Sequence, residues 1–386
     1  MRCIILFLGL LLIYLSIPNC VLSSQTDWII VNKGADDTTM YTDMQFIGKN
    51  GWIVGSKWNI GGVILRTTDG GNKWSEDINK SVDIYGFRAV HFINENEGWV
   101  VSGGEFDLGK KESKEPYIFH TINGGDTWTP MNQKIIGDPF NGFLQWLREP
   151  SSLILGDVFF TNSTEGWLIG GPDVLMGTAK GFLFHTSDGG KTWTGQHFTE
   201  ILTKVYSITP EQVWLFAESA LFNTTNAGGS WDRSLPIGNG FIHPVSLQFI
   251  SQEEGWLIES HGDIYHTTDS GKNWEIIKVD GLNFFEPLCG GFFINSNDGW
   301  TVSDRGKILY TIDGGKHWQI LDDVDLVRDF GIRLHDIEYV SSTGEICALG
   351  RGLEFEPYIL RHPINVTSVN PLGKMPTIWG KIKSQL

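Results

Sequence analysis

Six copies of one eight-residue pattern constrain the fold of this 386-residue chain more than any other feature. The pattern is Thr-x-Asp-Gly-Gly-x-x-Trp, with limited variation at its third and fourth positions, and we call each copy a box. The six boxes are Thr67–Trp74, Thr121–Trp128, Thr186–Trp193, Thr224–Trp231, Thr267–Trp274 and Thr311–Trp318. A pattern repeated with constant internal spacing predicts an architecture built from repeated units.

The third position of the box predicts a turn that a side-chain hydrogen-bond acceptor stabilises. Asn replaces Asp in two copies, so the position needs an acceptor and not a charge. The residues at this position are Asp69, Asn123, Asp188, Asn226, Asp269 and Asp313. The fifth position is Gly in every copy, whereas the fourth also accepts Ala227 and Ser270. We therefore expect a positive φ at the fifth position, which Gly adopts without a steric penalty.

The eighth position of the box is always Trp, and we expect it to begin a strand and to fill the gap between neighbouring units. These residues are Trp74, Trp128, Trp193, Trp231, Trp274 and Trp318. A Phe strand followed by Gly-Trp, as in Phe46 and Gly51-Trp52, precedes five of the boxes, and a degenerate copy keeps Trp214. Each unit therefore contains four strands, and units of about 40–45 residues predict the blades of a β-propeller.

The number of blades follows from the two ends of the repeat region. Three apolar segments, Ile337–Val340, Ile346–Gly350 and Tyr358–Arg361, continue the rhythm after the last box without a box of their own. Trp28-Ile29-Ile30 resembles the strands that follow the boxes, so the N-terminus is expected to supply the missing fourth strand. The sequence predicts an all-β fold over residues 27–365. It is a seven-bladed β-propeller of four-stranded antiparallel blades, its last blade closed by the N-terminal strand.

Both ends of the chain lie outside this region. Arg2 followed by the apolar run Cys3–Ile17 predicts a secretory signal peptide over residues 1–23. An uncleaved anchor is the alternative, although the run is short for a membrane span. We expect cleavage after Ser23, no membrane insertion afterwards, and a secreted, periplasmic or lumenal location. Residues 366–386 are predicted to form a C-terminal tail.

Charge and motif content exclude several classes of function. The formal net charge is −16, which makes nucleic acid an unfavourable partner. No metal site and no cofactor are predicted: His120, His185 and His266 precede box threonines at equivalent places, so they are expected to be strand residues on different blades. Once the signal is removed two cysteines remain, Cys289 and Cys347, and the sequence leaves open whether they pair.

Long insertions indicate where a partner binds. Gly103–Pro116, Met131–Ser152 and Gly171–Gly181 are all expected on the face opposite the boxes, together with the shorter outgrowths Ser56–Gly61 and Arg351–Pro357. These loops contain aromatic residues outside the repeat pattern, which either contact a protein partner or fold back on the propeller. The predicted contacts are Trp58, Phe106, Phe140, Phe143, Trp146 and Arg148.

The box resembles the Asp-box of bacterial neuraminidases and secreted β-propellers. The blade pattern, the blade count and the N-terminal closure are most similar to the photosystem II stability and assembly factor family, over roughly residues 28–363. This resemblance implies a non-enzymatic scaffold that binds a protein partner, whose identity the sequence does not reveal, and photosystem assembly itself is one form of that role. We also expect the chain to be a monomer. A carbohydrate-binding or sialidase-type propeller is the alternative, although the Arg-Ile-Pro motif of sialidases does not occur in this chain.

Overall fold

Seven antiparallel sheets form the chain into a ring, as the sequence predicts. The structure is a computed structural model. It describes residues 29–33, 39–57, 61–78, 86–103, 106–107, 112–113, 118–131, 134–135, 153–172, 181–217, 220–234, 243–279, 286–320, 326–327, 331–353 and 355–363. The prediction of an all-β, seven-bladed propeller of four-stranded antiparallel blades is confirmed. The boundaries 1–23, 27–365 and 366–386 stay predictions.

Strands run outward from the channel in chain order, numbered first to fourth in each blade. Blade 1 contains Thr39–Ile47, Asn50–Lys57, Gly61–Thr67 and Ser75–Ile78. Blade 2 contains Phe87–Phe92, Gly98–Ser102, Ile118–Thr121 and Thr129–Pro130. Blade 3 contains Leu153–Phe160, Gly166–Pro172, Gly181–Thr186 and Thr192–Phe198. Blade 4 contains Leu202–Thr209, Gln212–Ala217, Ala220–Thr224 and Asp232–Arg233.

The remaining blades follow the same order. Blade 5 contains Pro244–Phe249, Gly255–Glu259, Asp263–Thr267 and Glu275–Lys278. Blade 6 contains Leu288–Phe293, Gly299–Ser303, Ile308–Thr311 and Gln319–Ile320. Blade 7 contains Arg333–Val340, Glu345–Arg351 and Pro357–Pro363, and its fourth strand is Ile29–Lys33.

The ring closes through the N-terminal strand. Ile29–Lys33 pairs antiparallel with Pro357–Pro363, with Ile29 opposite Arg361 and Lys33 opposite Tyr358. Val31 packs against the buried cluster between blades 7 and 1, which includes Tyr41, Val340 and Ile359. The predicted closure is therefore confirmed, although Trp28 lies outside the described residues. Pairing the last blade with the first strand protects an edge that would otherwise offer free backbone groups to other chains.

Neighbouring blades pack through stacked aromatic rings. Trp99 lies flat on Phe160 of the next blade, with ring centroids 3.7 Å apart. Box Trp193 meets the same Phe160 ring edge-on, at 6.1 Å and 83°. The Trp of the Gly-Trp motif is thus the ring that stacks on the Phe of the next blade, and the box Trp packs edge-on against that same Phe. The Gly in this motif is required because a Cβ at Gly166 would lie 2.4 Å from the Phe160 ring.

Each box forms a turn closed by hydrogen bonds between its own residues. The Thr67 hydroxyl donates to Oδ1 of Asp69 at 2.9 Å, and the backbone amide of Lys73 donates to the same oxygen at 2.9 Å. The Thr67 hydroxyl also accepts the amide of Gly71 at 3.0 Å. Asn123 accepts the equivalent two bonds through its amide oxygen, at 2.9 and 3.0 Å. A neutral acceptor therefore makes the same turn as a carboxylate.

The fourth and fifth box positions both have positive φ. The fifth position is Gly throughout, with φ from 77° at Gly271 to 96° at Gly315. The fourth position also lies in the left-handed region when it is not Gly, with φ of 54° at Ala227 and 64° at Ser270. The fifth position has an additional constraint, because a Cβ at Gly271 would lie 3.2 Å from the Trp274 ring. Backbone conformation and contact with the box Trp together require Gly there.

The strand order determines on which of the two faces of the propeller each insertion lies. The second-to-third and fourth-to-first connections leave the propeller opposite the boxes, and we call this side the insertion face. The prediction that Met131–Ser152 lies on the insertion face needs correction for the start of this segment. Lys134–Ile135 runs parallel to Thr192–Trp193 as a fifth, outermost strand of blade 3, beside a box. This insertion therefore begins along the outer edge of the propeller because that edge offers unpaired backbone groups.

Two further features concern the chain as a whole. Both Cys289 and Cys347 are free thiols, on adjacent blades 6 and 7. Among the described segments, none forms a helix with the length and hydropathy needed to cross a membrane.

Candidate protein-binding face and central channel

The side chains predicted to contact a partner are not described by the structure. Five of them lie outside the described residues. For the sixth, Phe106, only the backbone is described: the strand Phe106–Asp107 pairs antiparallel with Glu112–Ser113. The five are Trp58, Phe140, Phe143, Trp146 and Arg148. Their role in partner binding stays a prediction.

A different loop of the insertion face exposes two apolar side chains. It joins the second and third strands of blade 7, between Arg351 and Pro357. Leu353 is 68% exposed and Phe355 is 57% exposed, although apolar side chains of this size are usually buried. The sequence placed this loop on the correct face. Two apolar residues among charged neighbours could have indicated an exposed contact surface in this loop, but the sequence analysis did not use them.

Local bonds fix the shape of this loop, which we call the blade-7 tip. The amide of Gly352 donates to the carbonyl of Glu356 at 2.8 Å, and the amide of Phe355 donates to the carbonyl of Gly352 at 3.0 Å. Phe355 has a φ of 72°, which is strained for a bulky residue. The guanidinium carbon of Arg351 lies 4.3 Å from the centroid of the Phe355 ring. The tip thus presents its apolar side chains from a defined backbone.

Arg351 has a second distinctive property. No carboxylate among the described residues forms an ion pair with it, whereas nearby Arg333 is paired with Asp304 at 2.7 Å. A guanidinium stacked on an aromatic ring can still donate hydrogen bonds from its edge to a carboxylate. The blade-7 tip therefore combines exposed apolar side chains with a positive charge that is not paired within the described part of the chain.

The central channel contains the second group of candidate residues. All seven first strands have a β-bulge near the insertion face, and we call the next residue in each the post-bulge residue. From blade 1 to blade 7 these residues are Asp43, Ala89, Asp157, Lys204, Ser246, Gly290 and Asp336. Four of the seven positions are therefore charged. Equivalent positions of a closed ring converge on its axis, so residues far apart in sequence become neighbours.

Two of these carboxylates connect adjacent blades. Oδ2 of Asp43 accepts the amide of Val90 in blade 2 at 2.8 Å, and Oδ2 of Asp157 accepts the amide of Val205 in blade 4 at 2.9 Å. We call each junction between adjacent first strands a seam. Hydrogen bonds across a seam fix the position of one blade against the next, because a buried amide needs a partner.

We call the second residue after the post-bulge residue the seam residue, and in blades 1, 2, 4 and 5 it makes a further bond across the seam. Gln45 accepts the amide of Phe92 at 2.6 Å and donates to its carbonyl at 3.1 Å. Gln248 accepts the amide of Phe293 at 2.7 Å, and the Tyr206 hydroxyl accepts the amide of Phe249 at 3.2 Å. His91 bonds the carbonyl of Phe160 at 2.9 Å. These side chains therefore have a scaffold role.

Charge interactions inside the channel shift several pKa values. Burial raises the pKa of Asp43 to about 8, with Asp336 and Asp157 adding to the effect and Lys204 opposing it. Burial likewise raises the pKa of Glu338 well above its usual range. Burial alone would lower the pKa of Lys204, but Asp43, Asp157, Asp336 and Glu338 together outweigh burial and raise that pKa. The channel thus contains carboxyl groups that retain protons at higher pH than free carboxyl groups do.

Comparison with known proteins agrees with this fold. The chain matches the family described as photosynthesis system II assembly factor YCF48 over residues 21–143 and 143–283. The chain belongs to this family. As a family member it is 24% identical over 319 residues to the photosystem II stability/assembly factor HCF136 of Guillardia theta, across 69% of this chain and 77% of that protein.

One further relative supports the placement in the YCF48 family, and one solved structure shares the fold. The photosystem II assembly lipoprotein Ycf48 of Synechococcus sp. (strain CC9902) is 30% identical over 261 residues, covering 60% of this chain and 72% of the lipoprotein. The solved structure of YCF48 bound to D1 peptide superposes with a TM-score of 0.61 at 20% identity. That superposition covers 88% of this chain and 98% of the solved one.

The arginines of this YCF48-family chain are distributed among several ion pairs. A sialidase pocket requires three arginines that converge on one carboxylate, but the described pairs lie in different places around the ring. These pairs are Arg66 with Asp126, Arg233 with Glu200, Arg333 with Asp304, and Arg361 with Glu345. Within the described parts of the chain, no group of three or more His, Cys, Asp or Glu side chains could hold a metal ion.

The three histidines before the boxes each have a carboxylate and a tryptophan in their own blade. His120 lies 3.2 Å from Glu97 and stacks on Trp99. His185 and His266 repeat the arrangement with Glu165 at 3.0 Å and Glu254 at 3.2 Å. They therefore occupy separate positions around the ring and belong to the packing of the blades.

Proposed function

We propose that this chain is a non-enzymatic scaffold that binds a protein partner through its insertion face. The observation that carries the proposal is the blade-7 tip, where Leu353 and Phe355 are exposed on a backbone fixed by local hydrogen bonds. Exposed aromatic and apolar anchors commonly supply most of the free energy of binding at protein interfaces. A tip that is already ordered loses little conformational entropy when it binds.

The chemistry of the tip defines the partner. Leu353 and Phe355 require an apolar surface, and the guanidinium of Arg351, which has no ion pair with another described residue, favours a carboxylate next to it. A peptide segment with an apolar side chain beside an acidic group meets both requirements. A related propeller is known with a D1 peptide bound, which supports a peptide as the type of ligand. The aromatic residues predicted in the insertions, including Phe140 and Trp146, would extend the same face.

Location and oligomeric state are part of the proposal. Relatives described as chloroplastic and as a lipoprotein support a site of action beyond a membrane. We propose that residues 1–23 are removed and that the mature chain acts as a monomer in a lumenal, periplasmic or extracellular space. N-terminal sequencing of the native protein and analytical ultracentrifugation measure these two properties.

Site-specific photocrosslinking tests the binding face. A photoreactive amino acid replaces Leu353 in one variant and Ile122 in another, because Ile122 is 72% exposed in a box on the opposite face. Both variants are expressed in the native host and irradiated. We expect a discrete crosslinked partner from position 353 and none from position 122. Equal crosslinking from both positions would contradict the proposal.

The purified partner then allows a quantitative test. Phe355→Ser should weaken its affinity about thirtyfold, which corresponds to about 2 kcal/mol, whereas Ile122→Ser should leave the affinity unchanged. Neither change should alter the melting temperature, because both side chains are exposed. Trp146→Ala in the same titration measures the contribution of the insertion. Hydrolysis of sialosides or xyloglucan oligosaccharides by the wild-type chain would contradict the non-enzymatic part.

A further inference from the structure

The outer rim of the propeller is apolar on one side of the ring. Seven of the eight large apolar side chains that are exposed among the described residues belong to blades 5, 6 and 7. Two of them form the blade-7 tip, and four lie on the outermost strands, namely Ile29, Ile30, Ile276 and Ile320. Exposed apolar residues that are scattered singly are ordinary, whereas a concentration of them in one sector indicates a contact surface.

Three of these isoleucines occupy equivalent positions in their blades. Ile276 and Ile320 are each the second residue after a box Trp, and Ile30 is the second residue after Trp28. We call Ile276, Ile320 and Ile30 the rim isoleucines. Their side chains are 45%, 45% and 49% exposed. In the third strand of each blade, the residues opposite them are Tyr265, Leu309 and Leu360.

These opposed residues show where the rim isoleucines point, because directly opposite residues of an antiparallel pair share one face of the sheet. Tyr265 belongs to the apolar cluster between blades 4 and 5, and Leu309 to the cluster between blades 5 and 6. Leu360 belongs to the cluster between blades 6 and 7. Each rim isoleucine therefore lies at the outer end of the groove between its blade and the preceding blade. Together they form an apolar strip across three consecutive grooves.

The other four blades do not continue this strip. In blades 1 to 4 the equivalent residues are Glu76, Pro130, Gly195 and Arg233. Blade 3 differs in another way, because Lys134–Ile135 pairs with Thr192–Trp193 and covers its outer edge. The chain therefore already covers one outer edge of the propeller with a segment of its own.

The described structure ends beside the apolar strip. Ile29 lies opposite Arg361, and the third strand of blade 7 ends two residues later, at Pro363. From this point the next rim position is Ile320 in the direction of blade 6 and Glu76 in the direction of blade 1. An extended chain spans about 3.3 Å per residue, so Trp379 can lie about 50 Å from Pro363. That distance passes several sheets packed about 10 Å apart.

The composition of the C-terminal tail, residues 366–386, complements the strip. The tail has a formal charge of +3, because it contains no Asp or Glu and three lysines, Lys374, Lys381 and Lys383. The whole chain has a formal charge of −16, so the other residues together carry −19. The tail also contains three large apolar residues close together, Ile378, Trp379 and Ile382. It therefore combines apolar side chains with a charge opposite to that of the propeller.

We propose that the C-terminal tail folds back on the outer rim of blades 7, 6 and 5, where Ile378, Trp379 and Ile382 cover the rim isoleucines. The tail then shields the apolar strip, so that a second copy of the chain does not bind there. This surface is separate from the blade-7 tip, and the proposal is independent of partner binding at that tip.

Photocrosslinking of the full chain tests the contact. A photoreactive amino acid replaces Ile320 in one variant and Glu76 in a control variant, because both occupy the same register in different blades. Isotope-labelled and unlabelled chains are mixed before irradiation, and the crosslinked peptides are identified by mass spectrometry. We expect position 320 to crosslink to residues 366–386 of the same chain, and position 76 to give no such crosslink. Crosslinks between labelled and unlabelled chains, or none to the tail, would overturn the proposal.

Truncation supplies a second, independent measurement. A chain that ends at residue 365 should self-associate at concentrations at which the full chain sediments as a monomer, because the strip is then uncovered. Hydrogen exchange should show lost protection in Glu275–Lys278 and no change in Ser75–Ile78 of blade 1. A truncated chain that stays monomeric and keeps this protection would overturn the proposal.

Substitutions in the truncated chain identify the surface that self-associates. Ile276→Ser together with Ile320→Ser should restore the monomer. Ile122→Ser is the matched control, because Ile122 is 72% exposed in the box of blade 2, away from the strip. It should leave the self-association unchanged. Equal rescue by the control and by the rim substitutions would contradict the assignment of the strip.

Discussion

Trp52 of blade 1 lies flat against Phe92 of blade 2, with ring centroids 3.5 Å apart and ring planes 11° apart. The indole nitrogen of Trp52 also donates to the carbonyl of Gly124 in the box of blade 2, at 2.8 Å. One side chain thus joins two blades by stacking and by a hydrogen bond. The side chain that packs blade 1 against blade 2 therefore also positions the box of blade 2.

The first prediction compares two tryptophans that differ in this hydrogen bond. Trp99 stacks on Phe160 as Trp52 stacks on Phe92, but its indole nitrogen has no described partner. Trp52→Phe should therefore lower the free energy of unfolding by about 1 kcal/mol more than Trp99→Phe, the usual net value of one hydrogen bond. Denaturant titration measures both. Equal losses would show that the bond to Gly124 contributes nothing.

The second prediction concerns the acceptor in the box. Asp188 accepts the Thr186 hydroxyl at 2.8 Å and the Thr192 amide at 2.9 Å. Asp188→Asn should fold with little loss, because Asn123 makes the same bonds and donates its amide to Thr127. Asp188→Ala should lose about 1–2 kcal/mol by leaving donors of the turn without an acceptor. A thermal melt that ranks the two variants the other way contradicts this account.

The third prediction extends the same pair of variants to low pH. Hydrogen bonds from the Thr192 hydroxyl and amide, opposed by burial, lower the pKa of Asp188. A depressed pKa contributes stability that is present above the unfolded value of about 4 and is lost as pH falls through the folded value. Asp188→Asn does not titrate, so its melting temperature relative to wild type should rise as pH falls below about 4. A constant difference across pH would contradict the assignment.

The fourth prediction concerns ring closure. Removal of residues 1–31 deletes most of the strand that pairs with Pro357–Pro363 and removes Val31 from the cluster between blades 7 and 1. The exposed edge should lead to aggregation or failed secretion, whereas a chain beginning at Ser24 should remain monomeric. Size-exclusion chromatography distinguishes the two results. A folded monomer beginning at Asn32 would show that this strand is dispensable.

The fifth prediction exchanges residues at the fourth box position. Ala227 has a φ of 54°, so Ala227→Gly should raise the free energy of unfolding by about 0.5–1 kcal/mol as strain is relieved. Gly70→Ala should lower it by about 1–2 kcal/mol. There φ is 73° and a new Cβ would lie 2.8 Å from Thr343 of blade 7. Chemical denaturation tests both, and stabilisation by Gly70→Ala would contradict the steric argument.

Much of the scaffold was predictable because its determinants are local. Thr67, Asp69 and Gly71 lie within five consecutive residues and bond to one another, so a single box contains the information for its own turn. Repetition then indicated the blades, and the resemblance of Trp28-Ile29-Ile30 to later strands indicated the closure. The strand that closes blade 7 was therefore predictable from the sequence alone.

Contacts between distant segments could not be read in the same way. Asp43, Asp157, Lys204 and Glu338 lie in four different blades, and no motif links them; only closure of the ring brings them to one axis. Exposure of Leu353 and Phe355 likewise depends on how their loop leaves blade 7. The sequence by itself determined the turns, the blades and their number, because those features depend on neighbouring residues. The tertiary structure decided the charge of the channel and the surface open to a partner, because burial and long-range electrostatics depend on the whole fold.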